Sequence, residues 1–146
     1  MDGDGGAGGY GLGRAARVAA DVRAAKAQSD HVVVLLHSGY EGLTTPNDIQ
    51  RANAYAAIDA GATLVIGHHP HVLQPVEPYK NGLIAYSLGN FVFDGFGGAG
   101  AQSAILNVTL TPAGIAGYSF TPVVLRDGRP VLAEGEEAAA ILAQLE

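Results

Sequence analysis

The sequence contains no cysteine. Disulfides, thiolate metal ligands and a cysteine nucleophile are therefore excluded, and cysteine usage says nothing about the redox compartment. Positive charge is scarce, with 8 Lys and Arg against 14 Asp and Glu and a formal net charge of −6. An acidic domain repels phosphate backbones, so nucleic acid is not an expected partner. No apolar run is long enough to span a bilayer. Residues 1–13 lack the basic and apolar regions of a secretory signal, so no export signal is expected on this chain. No serine-hydrolase elbow or phosphate-binding P-loop is present.

What is present is largely apolar: 48% of the 146 residues are hydrophobic, enough for one domain with a real core. Residues 1–13 are glycine-rich and read as a flexible tail ahead of a domain over 14–146. Gly6, Gly8 and Gly11 have the spacing of a dinucleotide-binding loop, but no strand precedes them. Ala15, Val18, Ala19, Val22 and Ala25 recur at helical spacing and predict a helix over 14–28. The valine-rich run at 32–36 predicts a strand buried on both faces. Thr45 as cap, Pro46 in the first turn and Asp48 closing a box-like pattern predict a second helix, ended by Gly61.

Residues 63–66, 83–86 and 91–93 are short strand candidates. Lys80-Asn81-Gly82 reads as a hairpin turn, and residues 103–110 and 117–125 as an antiparallel pair around a Pro-Ala-Gly turn. Ala138, Ile141, Leu142 and Leu145 define a last helix. The order of elements is α/β with a mixed sheet.

Four of the five histidines follow predicted buried strands. His37 ends the first, and Gly67-His68-His69-Pro70-His71 follows the second. Ligands bind at the carboxyl ends of strands in open α/β sheets, so both segments are expected on one rim. Extended backbone at His69 and His71, which Pro70 favours, turns both imidazoles to one side and His68 to the other. Such a pair can share a metal ion or hold two adjacent ones, and imidazole with manganese, iron or zinc is the expected chemistry. His31, at a strand entrance, is expected to be a structural histidine.

Glu41, four residues beyond His37, either orients a ligand histidine, acts as a base, or is a solvated loop carboxylate. Asn90 either fixes a turn or faces a substrate. Tyr55, Tyr79 and Tyr86 are expected to pack.

Three blocks together carry a resemblance. His37-Ser38-Gly39-Tyr40-Glu41 at a strand end is similar to a His-x-Gly-x-Glu segment. The stretch from Asp59 to Gln74, centred on Gly67-His68-His69-Pro70-His71, is the most characteristic. Ser87-Leu88-Gly89-Asn90-Phe91-Val92-Phe93-Asp94 completes the set. These blocks resemble the CapA, or poly-gamma-glutamate capsule biosynthesis, family, a branch of the calcineurin-like metallophosphatase superfamily.

The resemblance implies a four-layer α/β/β/α sandwich and a two-metal site, with this chain as its C-terminal half. It places His37, His69 and His71 among the metal ligands, with His68 standing where the superfamily has glycine. It places His68, Glu41 and Asn90 as further candidate site residues. The Gly-Asp and Asn-His motifs of the family's N-terminal half are absent, and Gly89-Asn90 is followed by Phe91 instead of histidine. The chain is therefore expected to be a truncated form that exposes an apolar sheet face and self-associates or meets a missing N-terminal half.

Two functions follow from the resemblance. One is metal-dependent hydrolysis of a phosphoester or an amide, with an anionic polymer or phosphoester as substrate. The other is non-catalytic binding or assembly in capsule polymer synthesis or export. The implied location is the cell envelope or the exterior.

Overall fold

A computed structural model of the chain describes residues 7–94 and 97–146, with side chains from residue 13 onward. Helix α1 runs Ala7–Lys26, so it begins within the glycine-rich stretch read as a tail, of which residues 1–6 lie outside the described residues. Gly8 and Gly11 fall inside this helix, while Gly6 is also outside the described residues. Strand β1 is Val33–His37, helix α2 is Asp48–Asp59 and strand β2 is Leu64–His68. Strands β3, Leu73–Tyr79, and β4, Gly82–Leu88, form a hairpin. After a 3-10 turn at Gly98–Ala101 come β5 (Gln102–Thr111), β6 (Gly114–Arg126), β7 (Arg129–Leu132) and helix α3 (Gly135–Leu142).

The first four strands make one mixed sheet in the order β1-β2-β4-β3, with β1, β2 and β4 parallel and β3 antiparallel. The last three make an antiparallel sheet in the order β5-β6-β7. The expected α/β class with a mixed sheet is what the chain adopts.

Helix α2 starts two residues later than its proline suggested. Asn47, not Thr45, is the cap. Its side chain accepts from the Gln50 N–H at 2.9 Å, and Gln50 Oε1 accepts from the Asn47 N–H at 3.1 Å. A reciprocal box satisfies two otherwise orphaned donors, which a threonine two residues early could not do once Pro46 is buried outside the helix. Gly61, at φ +110°, ends the helix as its sequence position implied.

One face of the mixed sheet is covered by α1 and α2. Val22, Ala54, Ala57, Ile58, Val65, Ile84 and Tyr86 form this core, with Val34 and Leu36 packed against it. Each fully buried side chain of this kind contributes roughly 1.5–3 kcal/mol. On the other face, Leu73 and Val76 of β3 join Ala104, Val124, Phe120, Ile141 and Leu145 in a second core between the sheets and α3.

The second sheet does not reach over β1. That strand is an edge, and Val33 (47% exposed) and Leu35 (70% exposed) face outward. The expectation that residues 32–36 are buried on both faces therefore fails for β1, although β2 is buried as expected. Residues 91–93 are not a strand either: among the described residues no strand pairs with them, and Phe91, Val92 and Phe93 are exposed. The hairpin of residues 103–110 and 117–125 is present as β5 and β6, and the Lys80-Asn81-Gly82 turn joins β3 to β4.

Candidate functional site

Because β1 and β2 are parallel and in register, His37 pairs with His68 at their carboxyl ends. The two loops that follow are tied together by backbone bonds: the Ser38 N–H donates to the His68 carbonyl at 3.0 Å, and the Gly42 N–H to that of Pro70 at 2.8 Å. Gly39 has φ +125°, and a Cβ there would lie 2.8 Å from the Gln50 side chain, so only glycine lets this loop fold down onto α2.

The rim brings His37 and His69 together. His37 Nε2 and His69 Nδ1 are 3.1 Å apart and the ring centroids 4.9 Å. The His71 ring is 6.3 Å from that of His69.

The turn carrying them is not extended, as the sequence suggested. His69 has φ +106° and His71 φ +61°. The reason is topological: β3 runs opposite to β2, so residues 69–72 must reverse the chain and carry it past β4. Left-handed backbone at two residues achieves this where extended backbone cannot.

Asn90 is the hub beneath this turn, only 5% exposed. Its Nδ2 donates to the carbonyls of His71 (3.2 Å) and Gly100 (2.9 Å), which fixes the amide orientation. Its Oδ1 then faces His71 Nδ1 at 2.6 Å, so that nitrogen is the donor and the neutral ring keeps its lone pair on Nε2. Phe93 stands edge-on to the same ring with centroids 5.2 Å apart.

Asn90 thus serves the turn and a candidate ligand at once. His68 is solvent-accessible at the end of β2. Its imidazole lies below the ordinary histidine value, because nearby protein desolvates the charged form and His37 adds repulsion. Glu41 is exposed and does not line the cleft at the histidines. His31 sits far from the rim, with Nδ1 on Thr63 Oγ1 (3.2 Å) and Nε2 on the Thr111 carbonyl (2.9 Å), pinning the β5–β6 hairpin tip.

Two nitrogens on one tetrahedral ion, with bonds of about 2.0–2.1 Å, stand about 3.3 Å apart. The His37–His69 separation of 3.1 Å is close to that span, but in this structure the two nitrogens share a hydrogen bond, one ring donating to the other. Among the described residues, however, no group of three or more His, Cys, Asp or Glu side chains is arranged to hold a metal. Among the described residues the rim supplies an imidazole pair and a third imidazole of fixed tautomer, without a group of carboxylates beside them.

Polar residues that sequence reasoning passed over complete the rim. Gln50 Nε2 donates to Gln74 Oε1 at 2.8 Å, and Gln74 Nε2 to the Leu43 carbonyl at 2.7 Å, locking the loop after β1 to β3. Both glutamines are buried, at 3% and 0% exposure. A glutamine at a buried helical position with a cap three residues earlier was the available signal. Behind the sheet, the Tyr55 hydroxyl donates to Glu77 at 3.0 Å and that of Tyr86 at 2.9 Å. Burial and this bond push the Tyr86 phenol far above its ordinary value. Tyr55 stacks on Tyr79 as expected of packing residues.

Arg14 of α1 lines a cleft of about 220 Å³ together with His37, Gly39, Tyr40 and His69. A second cleft of about 230 Å³ begins at Arg14, Arg17, His37 and Ser38 and is also lined by Asn53. The Asn53 Oδ1 is buried without a hydrogen-bond partner, a deficit that typically costs ~1–3 kcal/mol. A larger cleft of about 400 Å³ lies at the opposite end of the sheet beside His31, where Lys80 is already paired with Asp59.

Among the described residues no helix is long and apolar enough to cross a membrane. Comparison with known proteins matches residues 4–95 to the family described as bacterial capsule synthesis protein PGA_cap. The "PGA biosynthesis protein CapA" of Bacillus subtilis (strain 168) is 44% identical over 106 residues, 73% of this chain and 28% of that protein. The "Capsule biosynthesis protein CapA" of Bacillus anthracis is 44% identical over 105 residues, 72% of this chain and 26% of its own length. A "Probable polyglutamine synthesis accessory protein" of Mycobacterium tuberculosis is 39% identical over 85 residues, 56% of this chain and 22% of that protein. The chain thus spans about a quarter of the length of the two Bacillus relatives. The match covers β1, β2, β4 and the histidine rim they build, and the chain belongs to the bacterial capsule synthesis PGA_cap family.

Proposed function

We propose that this chain contributes the histidine side of a metal-dependent hydrolase-like site acting in poly-gamma-glutamate capsule synthesis at the cell envelope, on an amide or phosphoester. The observation that carries the reading is the His37–His69 apposition of 3.1 Å at the carboxyl rim of two parallel strands. His37, His69 and His71 would hold a divalent ion, manganese, iron or zinc. Such an ion, when bound, supplies the Lewis acidity that hydrolysis requires.

The chain's own residues do the positioning. Asn90 holds the proton of His71 on Nδ1 and presents Nε2. The bonds from Ser38 and Gly42 to the next loop keep His37 and His69 in one frame. Arg14 places a cation at the cleft mouth for an anionic polymer. A non-catalytic role in binding or assembling the polymer is the second reading. The arginine-lined cleft favours it, since arginines hold carboxylates without a metal.

Calorimetric titration with Mn²⁺ and Zn²⁺, beside hydrolysis assays on an activated phosphodiester and a γ-glutamyl amide, tests the proposal. This chain is expected to bind one ion weakly and to show no meaningful turnover, because its three imidazoles bring no carboxylate to bridge a second ion. Binding should weaken in acid, where imidazolium has no lone pair to give. His69→Ala with His71→Ala should abolish it, and His31→Ala should not. Unchanged metal affinity in the double variant would overturn the assignment.

A further inference from the structure

Strand β1 has a free edge. The Val32 carbonyl accepts from the Leu64 N–H at 3.3 Å, and the Ser38 N–H donates to the His68 carbonyl at 3.0 Å. Backbone direction alternates along a strand, so the even-numbered residues between these two bonds serve β2. The N–H and C=O groups of Val33, Leu35 and His37 point the other way, and among the described residues no backbone pairs with them. The opposite edge of the sheet, β3, carries Pro75, Glu77 and Pro78, which discourage a further strand. Strand β1 has no proline, carboxylate, lysine or arginine. An open row of alternating donors and acceptors is answered by another extended backbone.

The side chains around the edge say which kind of backbone. On one face of β1, Val33 and Leu35 stand 47% and 70% exposed. On the other, Val34 and Leu36 pack into the core that holds Val18 and Val22 of α1. Helix α1 carries Arg14, Arg17, Arg23 and Lys26, half of the chain's 8 basic residues, against one carboxylate, Asp21. Arg14 and Arg17 lie at the carboxyl end of β1, beside Leu36 and His37, and among the described residues neither takes part in an ion pair.

We propose that the β1 edge is a docking site for an extended polypeptide segment that alternates apolar and acidic residues. Its main chain pairs with Val33, Leu35 and His37. Its apolar side chains lie beside Val33 and Leu35, and its carboxylates lie on the α1 side, where cations outnumber Asp21. A second copy of this chain is a poorer occupant, because joining two β1 edges sets two cationic α1 helices side by side. A poly-γ-glutamate chain is poorer as well, since its amides are spaced too widely to follow the ladder.

Amide hydrogen exchange and binding of a labelled peptide alternating valine and glutamate test this on the dilute whole chain, in EDTA to keep metal out. Without peptide, the Val33 and Leu35 N–H groups should exchange fast while those of Val34 and Leu36 stay protected. The peptide should bind and protect Val33 and Leu35. Its lysine-for-glutamate version and poly-γ-glutamate should each bind about tenfold or more weakly. Methylating the peptide nitrogens at every second residue should abolish binding for one of the two alternating sets and spare it for the other. Leu35→Pro removes an edge donor but no bond to β2, so that variant should fold and lose about tenfold or more in affinity. If it does not fold, Leu35→Ser keeps the backbone intact and should weaken binding severalfold through the lost apolar contact. Arg14→Gln with Arg17→Gln, both at exposed positions, should narrow the preference for glutamate over lysine. Five results would each overturn the proposal: Val33 and Leu35 protected in the free dilute chain; protection that grows with protein concentration alone, which identifies a second copy; equal binding of the lysine peptide or of poly-γ-glutamate; indifference to methylation of both sets; and unchanged affinity in a folded Leu35 variant.

Discussion

Gly67 is where β2 passes closest to β4, and replacing it with alanine tests how tightly the histidine rim is built. A Cβ at this position would lie 2.0 Å from the Tyr86 carbonyl oxygen and 2.8 Å from its carbon. Ordinary contact begins near 3.4 Å, so the two strands must part by about 1.4 Å, the difference between 3.4 and 2.0. The obstacle is backbone, which has no rotamer to change. The clash sits one residue beyond the paired triplet Leu64–Ile66 with Leu83–Ala85.

Overpacking against mobile side chains costs ~1–3 kcal/mol. Losing one or two ladder bonds adds ~1 kcal/mol each. Gly67→Ala should therefore cost about 3–5 kcal/mol, a large share of the ~5–15 kcal/mol that holds a domain together. For a chain of this size the melting temperature should fall by about 10 °C or more. Gly117→Ala on β6 is the control, because nothing lies within 4 Å of its Cβ. Thermal melts followed by circular dichroism decide. A Gly67→Ala variant melting within about 2 °C of the parent would show that β2 and β4 are not packed as described.

Two further outcomes follow from buried polar groups. The Tyr86 phenol is held above its ordinary value by burial and by Glu77, so the folded state keeps a proton that the unfolded state releases near pH 10. Its contribution is fully present below that pH and is lost as pH rises further; Tyr86→Phe should flatten the alkaline fall in stability, as read from urea midpoints between pH 8 and 11. Asn90→Ala removes three hydrogen-bonded contacts at a site 5% exposed. It should cost about 2–4 kcal/mol and shift the His71 tautomer, visible in the imidazole nitrogen resonances; an unchanged tautomer would mean that Asn90 does not hold the ring.

The sequence made the parallel strands and their histidines legible because valine-rich runs ending in polar residues have few other folds. His37 and Gly67-His68-His69-Pro70-His71 needed only the rule that strand ends share a rim. Strand β3 was missed because Pro75 and Pro78 suppress the strand signal, though the Lys80-Asn81-Gly82 turn before β4 required a partner ahead of it. As an edge strand, β3 tolerates residues without an N–H. Strand β7, with Pro130, escaped for the same reason.

The exposure of Val33 and Leu35 could not be read locally, since an apolar run looks the same at the centre and at the edge of a sheet. Arg14, Arg17 and Asn53 were invisible as a group. They lie on two helices, and only the packing of α1 beside α2 gathers them at one cleft.

The left-handed backbone at His69 and His71 has a practical consequence for protein engineering. A non-glycine residue held in such a conformation carries strain of order 1–3 kcal/mol, which glycine would release. Screening variants for heat resistance alone should therefore enrich glycine at positions 69 and 71. Each winner would melt higher and lack an imidazole. Thermal robustness and the rim's chemistry are selected in opposite directions at these two residues, so any stabilisation campaign on this fold must hold them fixed and look for gains elsewhere.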